Sequence, residues 1–105
     1  MKIINLGRGQ GKTIRLLYAS EYNQSPILCA TNISKQYLVD MAEQLHLNIP
    51  EPIAASELTS GSVRKTSLRD QDILVDEAPM VLQALLSDLG MHGEVKAITL
   101  TAEEN

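Results

Sequence analysis

Aromatic side chains are scarce in this sequence of 105 residues. It contains no phenylalanine and no tryptophan, and its aromatic residues are Tyr18, Tyr22 and Tyr37. The hydrophobic core must therefore be built from Leu, Ile, Val, Ala and Met. Because 44% of the residues are hydrophobic, the chain has enough apolar surface for one folded domain, which we expect to span residues 1–105.

Cysteine is almost absent as well. The single Cys29 excludes an intrachain disulfide and fits a cytoplasmic compartment. Since it lies in the apolar run 27–30, we expect its thiol to be a small buried apolar group. His46 and His92 have no cysteine or histidine at metal-ligand spacing, so the sequence does not predict a zinc site.

Positive charge is in the minority. Nine Lys and Arg residues oppose thirteen Asp and Glu residues, which leaves a net charge of −4. This charge balance argues against strong binding of nucleic acid by this chain alone, because such binding requires a basic surface. The one local basic cluster, Arg64, Lys65 and Arg69, is predicted to be a solvated loop. No apolar stretch approaches the roughly 20 residues of a membrane span, so we predict no membrane association.

A glycine-rich segment directly follows the apolar residues near the N-terminus. It consists of Gly7, Arg8, Gly9, Gln10, Gly11, Lys12 and Thr13. Its end matches the core of a P-loop, in which backbone N–H groups surround a phosphate, the lysine reaches the β- and γ-phosphates, and the threonine hydroxyl binds Mg²⁺. The following helix N-terminus adds partial positive charge. The segment is therefore predicted to bind a nucleotide triphosphate, rather than being a glycine-rich turn that binds nothing.

Hydrophobic patterning alternates between strand and helix along the chain. Strands are predicted at 2–6, 27–30, 72–76 and 94–101, with a short edge strand at 52–55. Helices are predicted at 13–22, from an N-cap at Ser34 to about residue 48, and from Pro79 to a C-cap at Gly90 or Gly93. Residues 56–71 are predicted to be a surface loop. This order favours an α/β fold with a mostly parallel sheet of four to five strands, helices on both faces, and ligands at the carboxyl ends of the strands.

Helical spacing also predicts which side chains of the three helices are buried. The predicted apolar stripes are Ile14, Leu17, Tyr18 and Tyr22 in the first helix, Leu38, Met41, Ala42 and Leu45 in the second, and Leu82, Leu85, Leu86 and Leu89 in the third.

Two acidic residues end the predicted strand at 72–76. Asp76 and Glu77 follow the apolar residues 73–75, which is the pattern of a Walker B segment. In that interpretation Asp76 holds hydrated Mg²⁺, and Glu77 orients or deprotonates a water beside the γ-phosphate. The alternative is a pair of solvated carboxylates before a helix, which the helix dipole also favours. Thr99 and Thr101 lie on one face of the last predicted strand, where a hydroxyl could sense the γ-phosphate or the attacking water. The alternative is that both are ordinary threonines, which are common in strands.

Taken in chain order, these motifs resemble a RecA-like P-loop NTPase. The matching segments are 7–13, 29–32, 75–78 and 100–102. More narrowly, they look like the first lobe of DNA helicases and of phage terminase large subunits. The resemblance implies a three-layer, minimal RecA-like core with the last strand between the P-loop and Walker B strands. It also implies that Thr101 couples hydrolysis to DNA movement and that segment 29–32 contacts DNA.

The sequence departs from that family in ways that bear on activity. Leu6 stands where the loop pattern has its first glycine, so Gly7 and Gly9 are the nearest substitutes. No second lobe and no arginine finger are found in these 105 residues. Arg8 in the loop could supply charge in cis, but a solvated side chain is the favoured interpretation. We therefore expect any hydrolysis to depend on a partner or on self-association.

The sequence thus predicts a domain that binds Mg²⁺ and ATP, with weak or partner-dependent ATPase activity. By the family resemblance it would be accessory to DNA metabolism in a bacterial or phage-infected cytoplasm, with DNA or a motor protein as partner. One alternative is a nucleotide-sensing or structural module without turnover. A third interpretation, a small kinase with Arg64 and Arg69 as a lid, is disfavoured because a kinase does not need a water-activating Glu77.

Overall fold

A computed structural model of the chain describes residues 11–60, 71–91 and 93. Several predictions lie outside the described residues. These are the strands at 2–6 and 94–101, the loop residues Gly7, Arg8, Gly9 and Gln10, the basic residues Arg64, Lys65 and Arg69, and Thr101.

The described part of the chain is an α/β structure with a small parallel sheet. Its three strands are β1 (Ile27–Cys29), β2 (Ile53–Ala54) and β3 (Leu74–Val75), in the spatial order β2-β1-β3. Its four helices are α1 (Lys12–Asn23), α2 (Asn32–Gln44), α3 (Ala55–Ser60) and α4 (Ala78–Asp88). In the register, Leu28 pairs with Ile53 on one side and with Val75 on the other. The α/β class and the parallel sheet are confirmed, and so is the short strand at an edge of the described sheet.

The sheet is covered on both faces, because successive residues of a strand point to opposite sides. Ile27 and Cys29 pack in a cluster with Leu17 of α1 and Leu38 of α2. Leu28, between them in sequence, packs in a second cluster. This second cluster contains Ile53, Ile73 and Val81, with Leu58 and Leu85 packed against it. Helices α1 and α2 thus cover one face, while α3 and α4 cover the other.

Helix α1 has nearly the predicted bounds, but only Leu17 of its predicted apolar stripe is buried. Leu16, Leu17 and Ser20 are buried, whereas Tyr18 and Tyr22 are exposed. Ser20 can be buried because its hydroxyl donates a 2.7 Å hydrogen bond to the carbonyl oxygen of Ser25. The predicted stripe therefore shares Leu17 with the buried face but omits Leu16 and Ser20.

Helix α2 begins earlier than predicted, at Asn32, because its N-cap is Thr31 and not Ser34. The hydroxyl oxygen of Thr31 accepts a hydrogen bond from the backbone N–H of Ser34 at 3.1 Å. Leu38 and Ala42 of the predicted stripe are buried. The helix ends at Gln44, and His46 two residues later has a positive φ of 56°, so the chain leaves the helix before residue 48.

The prediction of a loop from residue 56 is wrong at its beginning. Helix α3 occupies Ala55–Ser60, directly after β2. It is stabilised by Glu57 in its first turn, whose carboxylate accepts the backbone N–H of Ala54 at 2.9 Å. The helix is too short for its period to stand out in the sequence.

Helix α4 includes Pro79 in its first turn, as predicted. Its buried residue is Val81, and Leu85 packs beside it, while Leu89 of the predicted stripe is 69% exposed. The predicted C-terminal glycine is Gly90, which has a φ of 89°. The backbone N–H of Met91 reaches the carbonyl oxygen of Leu86 at 2.8 Å, and that of Gly90 reaches Ser87 at 3.0 Å, which together form a Schellman motif.

None of the helices described in the structure combines the length and the hydropathy that crossing a membrane requires.

Candidate functional site

The described residues of the predicted site lie at one edge of the parallel sheet. In a parallel sheet with helices on both faces, the carboxyl ends of the strands and the N-termini of the following helices share one edge. Residues Asp76 and Glu77 connect the carboxyl end of β3 to α4. Lys12 is the first residue of α1.

The structure joins these two motifs through one direct contact. The ammonium Nζ of Lys12 lies 2.5 Å from Oε1 of Glu77, although the residues are 65 positions apart in sequence. The Lys12 side chain is 23% exposed and the Glu77 side chain 50%, so the pair is reachable from solvent. The lysine of the predicted P-loop and the glutamate of the predicted Walker B segment are therefore in one place.

Asp76 occupies a more enclosed position than Glu77. Its backbone N–H donates to the carbonyl oxygen of Leu28 at 2.9 Å, which fixes it beside the central strand β1. Burial raises the pKa of the Asp76 carboxyl, and the neighbouring negative charge of Glu77 raises it further, while the charge of Lys12 acts in the opposite direction. The Asp76 carboxyl thus lies in the field of both Lys12 and Glu77.

The backbone of Glu77 has an unusual conformation. It is the N-cap residue of α4 and is left-handed, with φ 55° and ψ 65°. A non-glycine residue in this region is uncommon and often found at functional positions. Its carbonyl oxygen still accepts the N–H groups of Met80 and Val81, at 2.9 and 3.0 Å, so the helix start does not depend on the Glu77 side chain. The Glu77 carboxylate, which takes no part in the helix cap, contacts Lys12 instead.

Gly11 and Thr13 flank Lys12 at the start of α1. Gly11 is the N-cap, and its φ of −77° is accessible to any residue. A Cβ added to Gly11 would have Nε of Arg15, at 4.0 Å, as its nearest neighbour. Among the described residues, neither backbone strain nor crowding therefore explains the glycine at this position. Thr13 lies in the first turn of α1 and is partly buried.

Of the predicted site, the described residues thus include Gly11, Lys12, Thr13, Asp76 and Glu77. Lys12 and the two carboxylates are brought together. Within the described chain, no group of three or more His, Cys, Asp and Glu side chains could enclose a metal ion.

Sequence reasoning missed a charged cluster near the same end of the sheet. Lys35 of α2 lies 2.8 Å from Glu57 of α3 and 3.1 Å from Glu51. Glu57 is 22 residues from Lys35, and no local pattern pairs them. The Lys35 and Glu57 side chains are 19% and 23% exposed, which indicates a structural ion pair between elements.

The segment 29–32, which the family resemblance associates with DNA, has defined structural roles. Cys29 is buried, and its Sγ lies 3.5 Å from the carbonyl oxygen of Ile53 and 3.6 Å from that of Thr31. Thr31 caps α2, and its hydroxyl also lies 3.0 Å from that of Ser34. A DNA contact by this segment stays a prediction.

The chain matches no protein-family model, and comparisons with curated proteins and with solved structures also find no match. The chemistry of the site is therefore argued from these residues alone.

Proposed function

We propose that this chain is a P-loop domain that binds Mg²⁺ and ATP and hydrolyses ATP weakly or with the help of a partner. The observation that supports it most is the contact between Lys12 and Glu77. Two motifs with complementary chemistry for a triphosphate are predicted far apart in the sequence. Their side chains meet at the N-terminus of α1, where backbone N–H groups attract anions.

In this proposal each residue has a separate task. Lys12 and the backbone of the glycine-rich segment 7–13 bind the phosphates. Glu77 orients or deprotonates the attacking water, and Thr101, outside the described residues, responds to the γ-phosphate. Phosphoryl transfer depends mainly on this kind of positioning and charge stabilisation.

The donor set at the site is compatible with Mg²⁺. Magnesium is usually held by one or two carboxylates together with substrate phosphates and water, and it rarely has an all-protein cage. One enclosed carboxylate, Asp76, and one hydroxyl in the first helical turn, Thr13, agree with that pattern. Bound at these residues, Mg²⁺ would neutralise charge on the β- and γ-phosphates.

Calorimetry with Mg-ATP tests nucleotide binding directly. Replacing Lys12→Ala removes a charge-assisted contact worth about 1.5–3 kcal/mol, or roughly ten- to hundredfold in affinity. Arg15→Ala, which removes an exposed cation from the same helix, is the matched control and should lose less. Circular dichroism tests whether both variants stay folded. The P-loop assignment fails if Lys12→Ala binds as tightly as the natural protein, or if the natural protein does not bind at millimolar ATP.

Single-turnover hydrolysis separates the enzyme from a nucleotide-sensing module without turnover. Glu77→Gln keeps the shape of the side chain but removes the base, so hydrolysis should fall by about 10²- to 10⁴-fold. Asp76→Asn should instead weaken Mg²⁺-dependent binding. Equal hydrolysis rates for Glu77→Gln and the natural protein would show that Glu77 is not the base. If no hydrolysis is measurable at any protein concentration or with DNA, the sensing module is the better description.

The family resemblance extends the proposal to a biological setting. It favours a role accessory to DNA metabolism in a bacterial or phage-infected cytoplasm, with DNA, a motor protein or a second copy of the chain as the partner. An ATPase that needs a second copy hydrolyses ATP at a specific rate that rises with protein concentration. A constant specific rate, at values typical of complete ATPases, would refute this part of the proposal.

A further inference from the structure

We propose that the Lys12–Glu77 ion pair is an internal competitor of the nucleotide, which holds the phosphate-binding lysine and the water-activating glutamate together until a triphosphate takes over the lysine. The inference rests on the function proposed above. It concerns the regulation of that site.

The contact joins groups that have opposite requirements for a bound nucleotide. Lys12 needs an anion, and at 2.5 Å the carboxylate of Glu77 already supplies one. A phosphate that approaches Lys12 brings a second anion close to Glu77, and like charges at this distance repel. Asp76 adds a further negative charge nearby. Binding of the phosphate must therefore separate Glu77 from Lys12.

The surroundings of Glu77 allow this separation. Its side chain is half exposed, and among the described residues its hydrogen-bonding contact is the one with Lys12. The cap of α4 is formed by the Glu77 backbone carbonyl, so the carboxylate can move without unravelling the helix. Its left-handed backbone is a conformation that residues with a Cβ disfavour, so the present position of Glu77 carries a backbone cost.

The ion pair also has a consequence for catalysis. While the Glu77 carboxylate contacts Lys12, it is directed at the lysine and not at a water beside the γ-phosphate. Transfer of Lys12 to the phosphate releases the carboxylate at the moment when the γ-phosphate arrives. Nucleotide binding and activation of the base are thereby coupled through one lysine.

The test is a double-mutant cycle on ATP affinity, measured by calorimetry in the presence of Mg²⁺. Its members are the natural protein, Glu77→Gln, Lys12→Met and the double variant. If the ion pair competes with the nucleotide, Glu77→Gln should bind ATP about two- to fivefold more tightly than the natural protein, as expected for a partly exposed ion pair. This gain should disappear when Lys12 is replaced. Glu43→Gln, at an exposed position of α2, controls for the change in net charge.

A second readout needs no nucleotide. A limiting amount of an acetylating reagent labels lysine side chains according to their accessibility, and mass spectrometry quantifies the label on Lys12. The ion pair shields the Lys12 amine, so Glu77→Gln should label faster at Lys12 while Glu43→Gln should not. Equal labelling of Lys12 in the natural protein and in Glu77→Gln would overturn the ion pair itself.

The other outcomes are equally decisive. If the natural protein binds ATP but Glu77→Gln binds no more tightly, the hypothesis that the ion pair competes with the nucleotide is refuted, and the nucleotide-binding function stands. If Glu77→Gln gains affinity even without Lys12, simple repulsion between Glu77 and the phosphates explains the gain, and the competitor is again refuted. If none of the four proteins binds ATP, the proposed function fails and the competitor fails with it, whatever the labelling shows.

Discussion

Glu57 offers the most direct test of how the described elements are held together. One carboxylate oxygen of Glu57 accepts the backbone N–H of Ala54 at 2.9 Å and the ammonium of Lys35 at 2.8 Å. It thereby links β2, α2 and α3. The hydrogen bond from Ala54 lowers the pKa of the Glu57 carboxyl most, and the contact with Lys35 lowers it further.

The expected effect of Glu57→Gln follows from these contacts. The amide oxygen can still accept the Ala54 N–H, but both charge-assisted components are lost, and a hydrogen bond to a charged group is worth about 1.5–3 kcal/mol against about 1 kcal/mol for a neutral one. We therefore expect the free energy of unfolding to fall by about 1–2 kcal/mol. Glu51→Gln is the matched control: it contacts the same Lys35, but its side chain is 79% exposed, so its loss should be below about 0.5 kcal/mol.

The measurement is urea unfolding followed by far-UV circular dichroism at several pH values. Because the folded pKa of Glu57 is below its unfolded value, its contribution is fully present above the unfolded pKa and is lost as the pH falls through the folded pKa. The stability difference between the natural protein and Glu57→Gln should thus shrink in acid. Equal losses for Glu57→Gln and Glu51→Gln at neutral pH, or a difference that does not change with pH, would contradict this reasoning.

Three further predictions concern the packing and the backbone. Leu38 is fully buried, so Leu38→Ala should lower the free energy of unfolding by about 2–5 kcal/mol. Leu89→Ala, at an exposed position, should change it by less than about 0.5 kcal/mol. Urea unfolding of the two variants measures both effects. Burial, together with the negative charge of Asp76, raises the pKa of Cys29 to about 11. Alkylation of the folded protein near pH 8 should therefore be slow and should accelerate in urea. Fast alkylation of Cys29 without denaturant would contradict this prediction. His46 has a left-handed backbone with φ 56°, so His46→Gly should raise the thermal unfolding midpoint, and a lower midpoint would argue against strain at this residue.

The local features of this protein could be predicted from its sequence. The order of α1, β1, α2, β2, β3 and α4 follows from hydrophobic patterning, because the helices have apolar residues at helical spacing while β1 and β3 are short continuous apolar runs. The alternation of strands and helices predicts the parallel sheet, since parallel strands need a crossover between them. Pro79 and Gly90 mark the beginning and the end of α4 because each has a backbone preference of its own. The chemical motifs are also local, since Gly11, Lys12 and Thr13 are consecutive, as are Asp76 and Glu77.

The tertiary structure decided which face of a helix is buried. In α1, the apolar pattern grouped Leu17 with Ile14 and Tyr18, whereas the face that is buried carries Leu17 together with Leu16. Packing against β1 and α2 selects Leu16 and Leu17. It can do so because Ser20, on the selected face, finds the Ser25 carbonyl as a partner and buries no unsatisfied hydroxyl.

The contacts that define the candidate site belong to the tertiary structure in the same way. Lys12 meets Glu77 across 65 positions, and Lys35 meets Glu57 across 22, because the parallel sheet brings the carboxyl ends of separate strands to one edge. The sequence determined which side chains are candidates for a functional site, since that choice depends only on residue type and local spacing. The tertiary structure decided which of them touch, because ion pairs between distant segments depend on how the whole sheet is assembled.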